Sequence, residues 1–216
     1  MNSKSSSKGP RDAGRPARPA RPAHSARANE VRIIGGDWKR TRLAVADKPG
    51  LRPTPDRVRE TLFNWLASLA GAGGGELPGW HCVDVFAGTG ALGFEAASRG
   101  AASVLMCEQD PALVAQLKAV QAKLDAKTVR VERGNGVSLL ARCAPRSLHA
   151  VFLDPPYDQV TLYAEALRAA VPTLADGGVI YLEAARRWED AELAELGLSV
   201  FRHLKAGAVH AHLLRT

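Results

Sequence analysis

The sequence predicts an α/β fold: a mostly parallel sheet covered by helices on both faces, with a late antiparallel strand and a small hairpin–helix extension in front. Three observations carry this expectation. From Trp80 onward, short apolar runs alternate with stretches of helical periodicity. Asp84, Glu108, Asn135 and Asp154 each stand at or just past the end of an apolar run, where open parallel sheets bind ligands. The final segment, LSVFRHLKAGAVHAHLLRT, has two strand-like halves meeting at Ala206-Gly207 with no helix between them, so a late strand must run antiparallel.

Each element follows in order. Residues 1–29 carry the low-complexity basic repeat RPARPARPA and cannot bury enough apolar surface to order themselves. Val31–Ile34 and Leu43–Val45 read as two strands around a Gly-Gly and basic turn. A helix follows, with Thr54 as its N-cap, Pro55 at its first position, and Val58, Leu62, Trp65, Leu66 and Leu69 on one face. The glycines of 71–75 end it. HCVDVF is then a strand and ALGFEAASR its helix, closed by Gly100. SVLMCE precedes a helix over Pro111–Leu124, with Asp110 as its cap. TVRVER precedes a short helix over Val137–Arg142. HAVFLD precedes a helix over Thr161–Leu174, and GGVIYLE is the last strand before the terminal hairpin.

Bulk properties exclude several classes. The chain has 216 residues, 46% hydrophobic, enough for one well-cored domain plus an appendage. No apolar run approaches the roughly 18 residues of a membrane span, and the N-terminus lacks an apolar signal core, so a cytoplasmic protein is expected. Cys82, Cys107 and Cys143 form no C-x-x-C pair and read as reduced thiols, Cys82 and Cys107 within strand-like runs. The six histidines lack zinc spacing, and His210 and His212 share a strand face, so no metal is expected. The net charge of +7 is uneven: residues 1–30 carry +5 and residues 31–60 carry +4, leaving −2 for the rest. A polyanion grip in front of a near-neutral domain fits this distribution.

The loop VDVFAGTGALG contains G-x-G-x-x-G at Gly88, Gly90 and Gly93, the pattern of dinucleotide binders. Asp84, just before it, argues for a different cofactor. A diphosphate would meet a like charge there, whereas S-adenosylmethionine brings an ammonium and a sulfonium. Charges about 4 Å apart exchange roughly 4 kcal/mol at an effective dielectric of 20, and the sign favours the cation. A helix-capping role for Asp84 is the alternative. Glu108 is placed to accept from ribose hydroxyls of either cofactor. Asn135 is placed to read an adenine edge, with Gly136 allowing close approach, or else it is a turn residue.

VFLDPPYD holds the chemistry. Pro155 and Pro156 remove two N–H donors, so the carbonyls of Asp154 and Pro155, with the Asp154 carboxyl, form a cluster of acceptors. Such a cluster suits an exocyclic nucleobase amine, with Asp154 also able to take its surplus proton. Tyr157 offers a face for stacking, worth about 1–3 kcal/mol, on a base flipped from its helix or stack. In the N-terminal block, Arg32, Lys39, Arg40, Arg42, Arg52, Arg57 and Arg59 are placed to neutralise phosphates and Trp38 to stack.

GLRPTPDRVRETLFNWL, VDVFAGTGALGFEAASRGA and VFLDPPY, in this order, resemble the bacterial 16S ribosomal RNA guanine-N2 methyltransferases, the family acting on guanine 966. The resemblance spans residues 31–216. DPPY alone is shared with adenine-N6 DNA methyltransferases, and RPTPDRVRETLFNWL narrows the match. The resemblance implies a seven-stranded Rossmann-like class I methyltransferase fold over residues 76–216, behind an RNA-contacting extension over residues 30–75. It implies S-adenosylmethionine as cofactor, with Asp84, Phe86, Gly88, Thr89 and Gly90 at its methionine end, Glu108 on the ribose, and Asn135 with Gly136 at the adenine. It implies Asp154, Pro155, Pro156 and Tyr157 as the amine-methylation site, and 16S RNA or the small ribosomal subunit as partner; the sequence leaves the oligomeric state open, with a monomer favoured. An adenine-N6 DNA methyltransferase, a dehydrogenase and a non-catalytic RNA-binding assembly protein are the rival readings.

Overall fold

A computed structural model describes residues 30–46, 48 and 53–216. The disorder expected for residues 1–29 lies outside the described residues, as does Arg52. The chain opens with a two-stranded antiparallel hairpin, β1 (Glu30–Arg32) and β2 (Arg42–Ala44), followed by α1 (Asp56–Leu69). Strands β3 (His81–Asp84), β4 (Ser103–Glu108), β5 (Val129–Arg133), β6 (Leu148–Leu153), β7 (Leu174–Ala184), β8 (Ser199–Ala206) and β9 (Val209–Arg215) form one sheet. Their order is β5-β4-β3-β6-β7-β9-β8. The first five pair in parallel, and β9 is antiparallel to both β7 and β8. The antiparallel strand is therefore wedged between β7 and β8, which departs from the all-parallel 3-2-1-4-5-6 order of dinucleotide-binding sheets.

Alternation along the strands divides the core in two. Cys82, Met106, Phe152, Tyr181 and Leu213 point to one face and join the hairpin, α1, α2 (Ala91–Ser98) and α3 (Pro111–Lys123). Val83, Val85, Val151, Leu153, Leu182 and Leu214 point to the other, under α4 (Gly136–Leu140), α5 (Val160–Ala170) and α6 (Asp190–Ala194). Period-two strands buried on both faces require this double apolar pattern. The extension shares the first core: Val31, Ile33, Leu43, Val58, Leu62 and Phe63 pack in the same cluster as the sheet residues. Lys48 also pairs with Asp110 at the N-terminus of α3. Asp110 caps that helix as expected, accepting from Ala112 and Leu113.

Several expected details differ. Thr54 does not cap α1: the N-cap is Pro55, without a side-chain bond, and the Thr54 hydroxyl donates to Glu183 instead. Leu69, expected on the buried face of α1, is exposed at the helix end. The helix expected to run to Leu174 stops at Ala170, because a 3-10 turn containing Pro172 intervenes and β7 already begins at Leu174. Helix α6, five residues closed by a Glu189–Glu192 capping box, was too short to show periodicity. Cys82 and Cys107 are buried, Cys143 is half-buried, and all three are free thiols. No described helix is long and apolar enough to cross a membrane.

Candidate active site

From β3 the chain moves out to β4 and β5, then returns to place β6 on the other side of β3. The carboxyl ends of β3 and β6 thus form the switch point where open sheets leave a crevice. Asp84 ends β3 and Asp154 follows β6 immediately, so both acids stand at this crevice.

The glycine loop is built by its own packing. Gly90 holds φ 78° as the left-handed N-cap of α2, and a Cβ there would lie 2.6 Å from Leu117 Cδ2. A Cβ on Gly93 would lie 2.8 Å from Met106 Cε, so this glycine lets α2 settle on β4. Asp84 accepts from the Gly93 amide at 2.9 Å and is buried. The capping alternative is therefore realised, and the same carboxyl still stands at the crevice. Burial, reinforced by the nearby Glu108 charge and opposed by the Gly93 bond, raises its pKa to about 7.

Glu108 supports the loop from the next strand. Its Oε2 accepts from Gly88 at 2.9 Å, and its Oε1 accepts from Gln109 at 2.8 Å and Asp110 at 2.9 Å. These amides fill three of a carboxylate's roughly four acceptor positions. Thr89 is buried, with its hydroxyl accepting from Ala91 at 3.3 Å within the helix start. Phe86 is half-buried against the second core. Asn135 is an exposed N-cap for α4, and its Oδ1 accepts from the Ser138 amide at 2.9 Å. A Cβ on Gly136 would sit 2.4 Å from the Val85 side chain and carbonyl, so this glycine also lets α4 pack on the end of β3.

Among the described residues, the Asp154 carboxyl has no hydrogen-bond partner. The Pro155 carbonyl is not wholly free, since the Tyr163 hydroxyl donates to it at 3.5 Å. Tyr157 leaves 42% of its surface exposed, as a stacking platform requires, and its hydroxyl donates to Glu183 Oε1 at 3.2 Å.

Glu183 is the residue sequence reasoning missed. It lies one position beyond the Leu153–Leu182 register pair, so it neighbours Asp154 across β6 and β7. Its Oε2 accepts from the hydroxyls of Thr54 at 2.8 Å and Tyr181 at 2.9 Å. The available signal was an acid closing a fifth parallel strand, the same signal that singled out Glu108. Burial and the charges of Glu183 and Asp84 hold the Asp154 pKa well above the carboxylate range. Burial also raises the Glu183 pKa, against the lowering effect of the Thr54, Tyr181 and Tyr157 hydroxyls.

The basic extension divides into anchors and exposed cations. Arg59, expected on phosphate, is fully buried, and that expectation is corrected. Its guanidinium donates to Asp56 at 2.7 Å, to the Arg32 carbonyl at 2.8 Å and to the Thr54 carbonyl at 3.2 Å, and reaches Glu95 at 3.4 Å. Glu95, also fully buried, accepts from the amides of Ile34 at 2.7 Å and Gly35 at 2.8 Å and from Arg99 at 2.8 Å. This network fastens the hairpin to α2. Arg32 pairs with Asp56 and Arg42 with Glu30, both exposed. Lys39, Arg40 and Arg57 are exposed, and Trp38 is half-buried against the core.

His203, His210 and His212 place ring nitrogens within 4.8 Å of one another on β8 and β9. His212 has both nitrogens occupied, Nε2 accepting from the Trp188 amide at 3.1 Å and Nδ1 lying 3.3 Å from the Leu182 carbonyl. His203 Nε2 lies 3.1 Å from His210 Nδ1, and His212 alone ties the hairpin to the Trp188 loop.

The strand order, the wedged antiparallel strand and the match to a solved methyltransferase structure define the class: a Rossmann-like methyltransferase fold. The particular family follows from comparison with known proteins. Residues 31–215 match the family described as conserved hypothetical protein 95, and the chain belongs to that family. It is 44% identical over 159 residues to ribosomal RNA small subunit methyltransferase D of Escherichia coli K12, covering 72% of this chain and 75% of the relative. The protein of the same name from Buchnera aphidicola subsp. Baizongia pistaciae is 33% identical over 160 residues, covering 73% and 78%. Among solved structures, yhhF of Escherichia coli superposes with a TM-score of 0.70 at 39% identity, over 86% of this chain and 97% of that one. A hypothetical protein of Thermus thermophilus gives a TM-score of 0.69 at 26% identity, over 86% and 99%.

Proposed function

We propose that this protein transfers a methyl group from S-adenosylmethionine to the exocyclic N2 of a guanine, of the 966 type, in 16S small-subunit ribosomal RNA. One observation carries the reading: Asp84, Glu108, Asp154 and Glu183 stand at or next to the carboxyl ends of four neighbouring parallel strands, and Asp154 opens the Asp-Pro-Pro-Tyr acceptor cluster. Burial raises the pKa of Asp84 and Asp154, reinforced by Glu108 at the first and by Glu183 and Asp84 at the second, and a cationic ligand is favoured because its charge relieves this repulsion. The same crevice opposes a diphosphate. The donor set therefore fits S-adenosylmethionine, which when bound supplies a sulfonium-activated methyl group. The names of the relatives support ribosomal RNA as the substrate.

The chain's residues have distinct tasks. Asp84 faces the positive methionine end, Phe86, Gly88, Thr89 and Gly90 wall it, Glu108 offers its remaining acceptor position to ribose, and the Asn135 amide donates to adenine. Asp154 and the Pro155 carbonyl accept from the two N–H groups of the target amine, and Pro156 holds the turn rigid. This orients the nitrogen lone pair for in-line attack, a positioning effect. With the methyl donor bound, the amine nitrogen would gain the methyl group as the methyl–sulfur bond breaks to leave a neutral thioether, and Asp154 would take the proton the amine must lose. Tyr157 stacks on the flipped base. Within the extension of residues 30–75, Lys39, Arg40 and Arg57 hold phosphates and Trp38 lies beside them. Mapping methylated guanines in small-subunit RNA from cells with and without the gene tests the reading. Loss of one N2-methylguanine is expected, and an unchanged guanine map with a missing N6-methyladenine in DNA would overturn it.

A further inference from the structure

Glu183 is buried at the sheet end beside Asp154 and is held by hydroxyls from three elements. Thr54 comes from the extension, Tyr157 from the loop after β6, and Tyr181 from β7 itself. Three donating hydroxyls define an acceptor and fix its orientation, since each oxygen is aligned by its partners. Oε2 accepts two hydroxyls, whereas Oε1 accepts only Tyr157 and keeps an open acceptor position. Oε1 lies 3.2 Å from the hydroxyl of Tyr157, and the Asp154 carboxyl, without a hydrogen-bond partner among the described residues, stands one register position beyond the Leu153–Leu182 pair on the neighbouring strand.

We infer that Glu183 is the guanine-selecting residue of this site, its Oε1 accepting from the base N1–H while Asp154 and Pro155 hold the N2 amine. The inference rests on the proposed guanine-N2 methylation and names what distinguishes the base. Guanine presents adjacent donors at N1 and N2, so neighbouring carboxyls match its edge. Adenine presents an acceptor at N1 beside its amine, and its lone pair would face the Glu183 oxygen. A site with a buried acceptor rejects a base that lacks the matching donor, because the acceptor is left unpaired. Thr54 acquires a role as well. The conspicuous Pro-Thr-Pro segment delivers a hydroxyl 129 residues along the chain to the carboxylate that reads the base.

The test compares small-subunit RNA carrying either guanine or 2-aminopurine at the target position, with the full-length protein and S-adenosylmethionine. 2-Aminopurine keeps the N2 amine but has no N1–H. Wild-type protein is expected to methylate guanine about 10- to 100-fold more efficiently in kcat/KM, the range of one good base-edge contact. Glu183→Gln, whose amide offers N–H to the unprotonated N1, is expected to bring that ratio close to one. A purely structural role would lower both rates and leave the ratio unchanged, which would overturn the inference. Equal methylation of the two bases by wild-type protein would also overturn it, without recourse to any variant. If wild-type protein methylates neither, the underlying guanine-methylation reading fails with it.

Discussion

Lowering the pH from about 7 to about 5.5 should weaken S-adenosylmethionine binding about 15-fold, because Asp84 gains its proton across that window. Its carboxyl is buried at the end of β3 and has a pKa near 7, so about half is ionised at neutral pH and a few per cent at pH 5.5. If the cationic ligand pairs only with the ionised form, the dissociation constant rises by the inverse of that fraction. The window stays below the α-ammonium pKa of roughly 7.7–8.0, so the ligand keeps its charge throughout. Isothermal titration calorimetry of wild-type protein and Asp84→Asn measures the effect. The variant should bind more weakly at pH 7 and lose the part of the pH dependence that Asp84 contributes. Stability runs the opposite way. The folded pKa lies above the unfolded value of 3.8, so this contribution is complete below about pH 4 and is lost as pH rises through about 7, a loss of about 4 kcal/mol. Cofactor binding should offset that loss by mass action. A wild-type dissociation constant independent of pH would refute the electrostatic role assigned to Asp84.

Three further outcomes are expected. Asp154→Asn should lower kcat by about 10²–10⁴, read by single-turnover methyl transfer at saturating cofactor, and the wild-type acid limb should lie well above the carboxylate range because burial and Glu183 hold the Asp154 pKa up. Glu95→Ala should cost about 3–5 kcal/mol in chemical denaturation, because it leaves the buried Arg59 guanidinium without its buried carboxylate. Alanine at Lys39, Arg40 and Arg57 should each weaken RNA binding and reduce the salt slope by about one, measured by filter binding across salt concentrations, whereas Arg59→Ala should lower the melting temperature instead.

The local signals were legible for reasons that do not depend on the rest of the chain. Asp110 was readable as a cap because a side chain bonding two amides ahead needs only its own helix. Asp84 and Asp154 were readable because an acid that interrupts an apolar run marks a strand tip. Thr54 illustrates the opposite case. Its position before Pro55 has every local mark of an N-cap, yet its hydroxyl is taken by Glu183 from another element. Arg59 was indistinguishable from Arg57 by composition, because both are arginines on one helix. Their fates diverge because Arg59 turns toward the Glu95 carboxylate and Arg57 turns toward solvent.

Taken alone, the sequence determined the alternation of elements, the acids at the strand ends and the Asp154-Pro155-Pro156-Tyr157 segment that follows β6. Periodicity, caps and backbone restrictions act within a few residues, so they are written locally. Only the tertiary structure decided that Glu183 joins Asp154, that Thr54 reaches across from the extension, and that Arg59 anchors rather than grips. Those outcomes depend on which strands become neighbours and which side chains lose water, and both are set by the packed sheet.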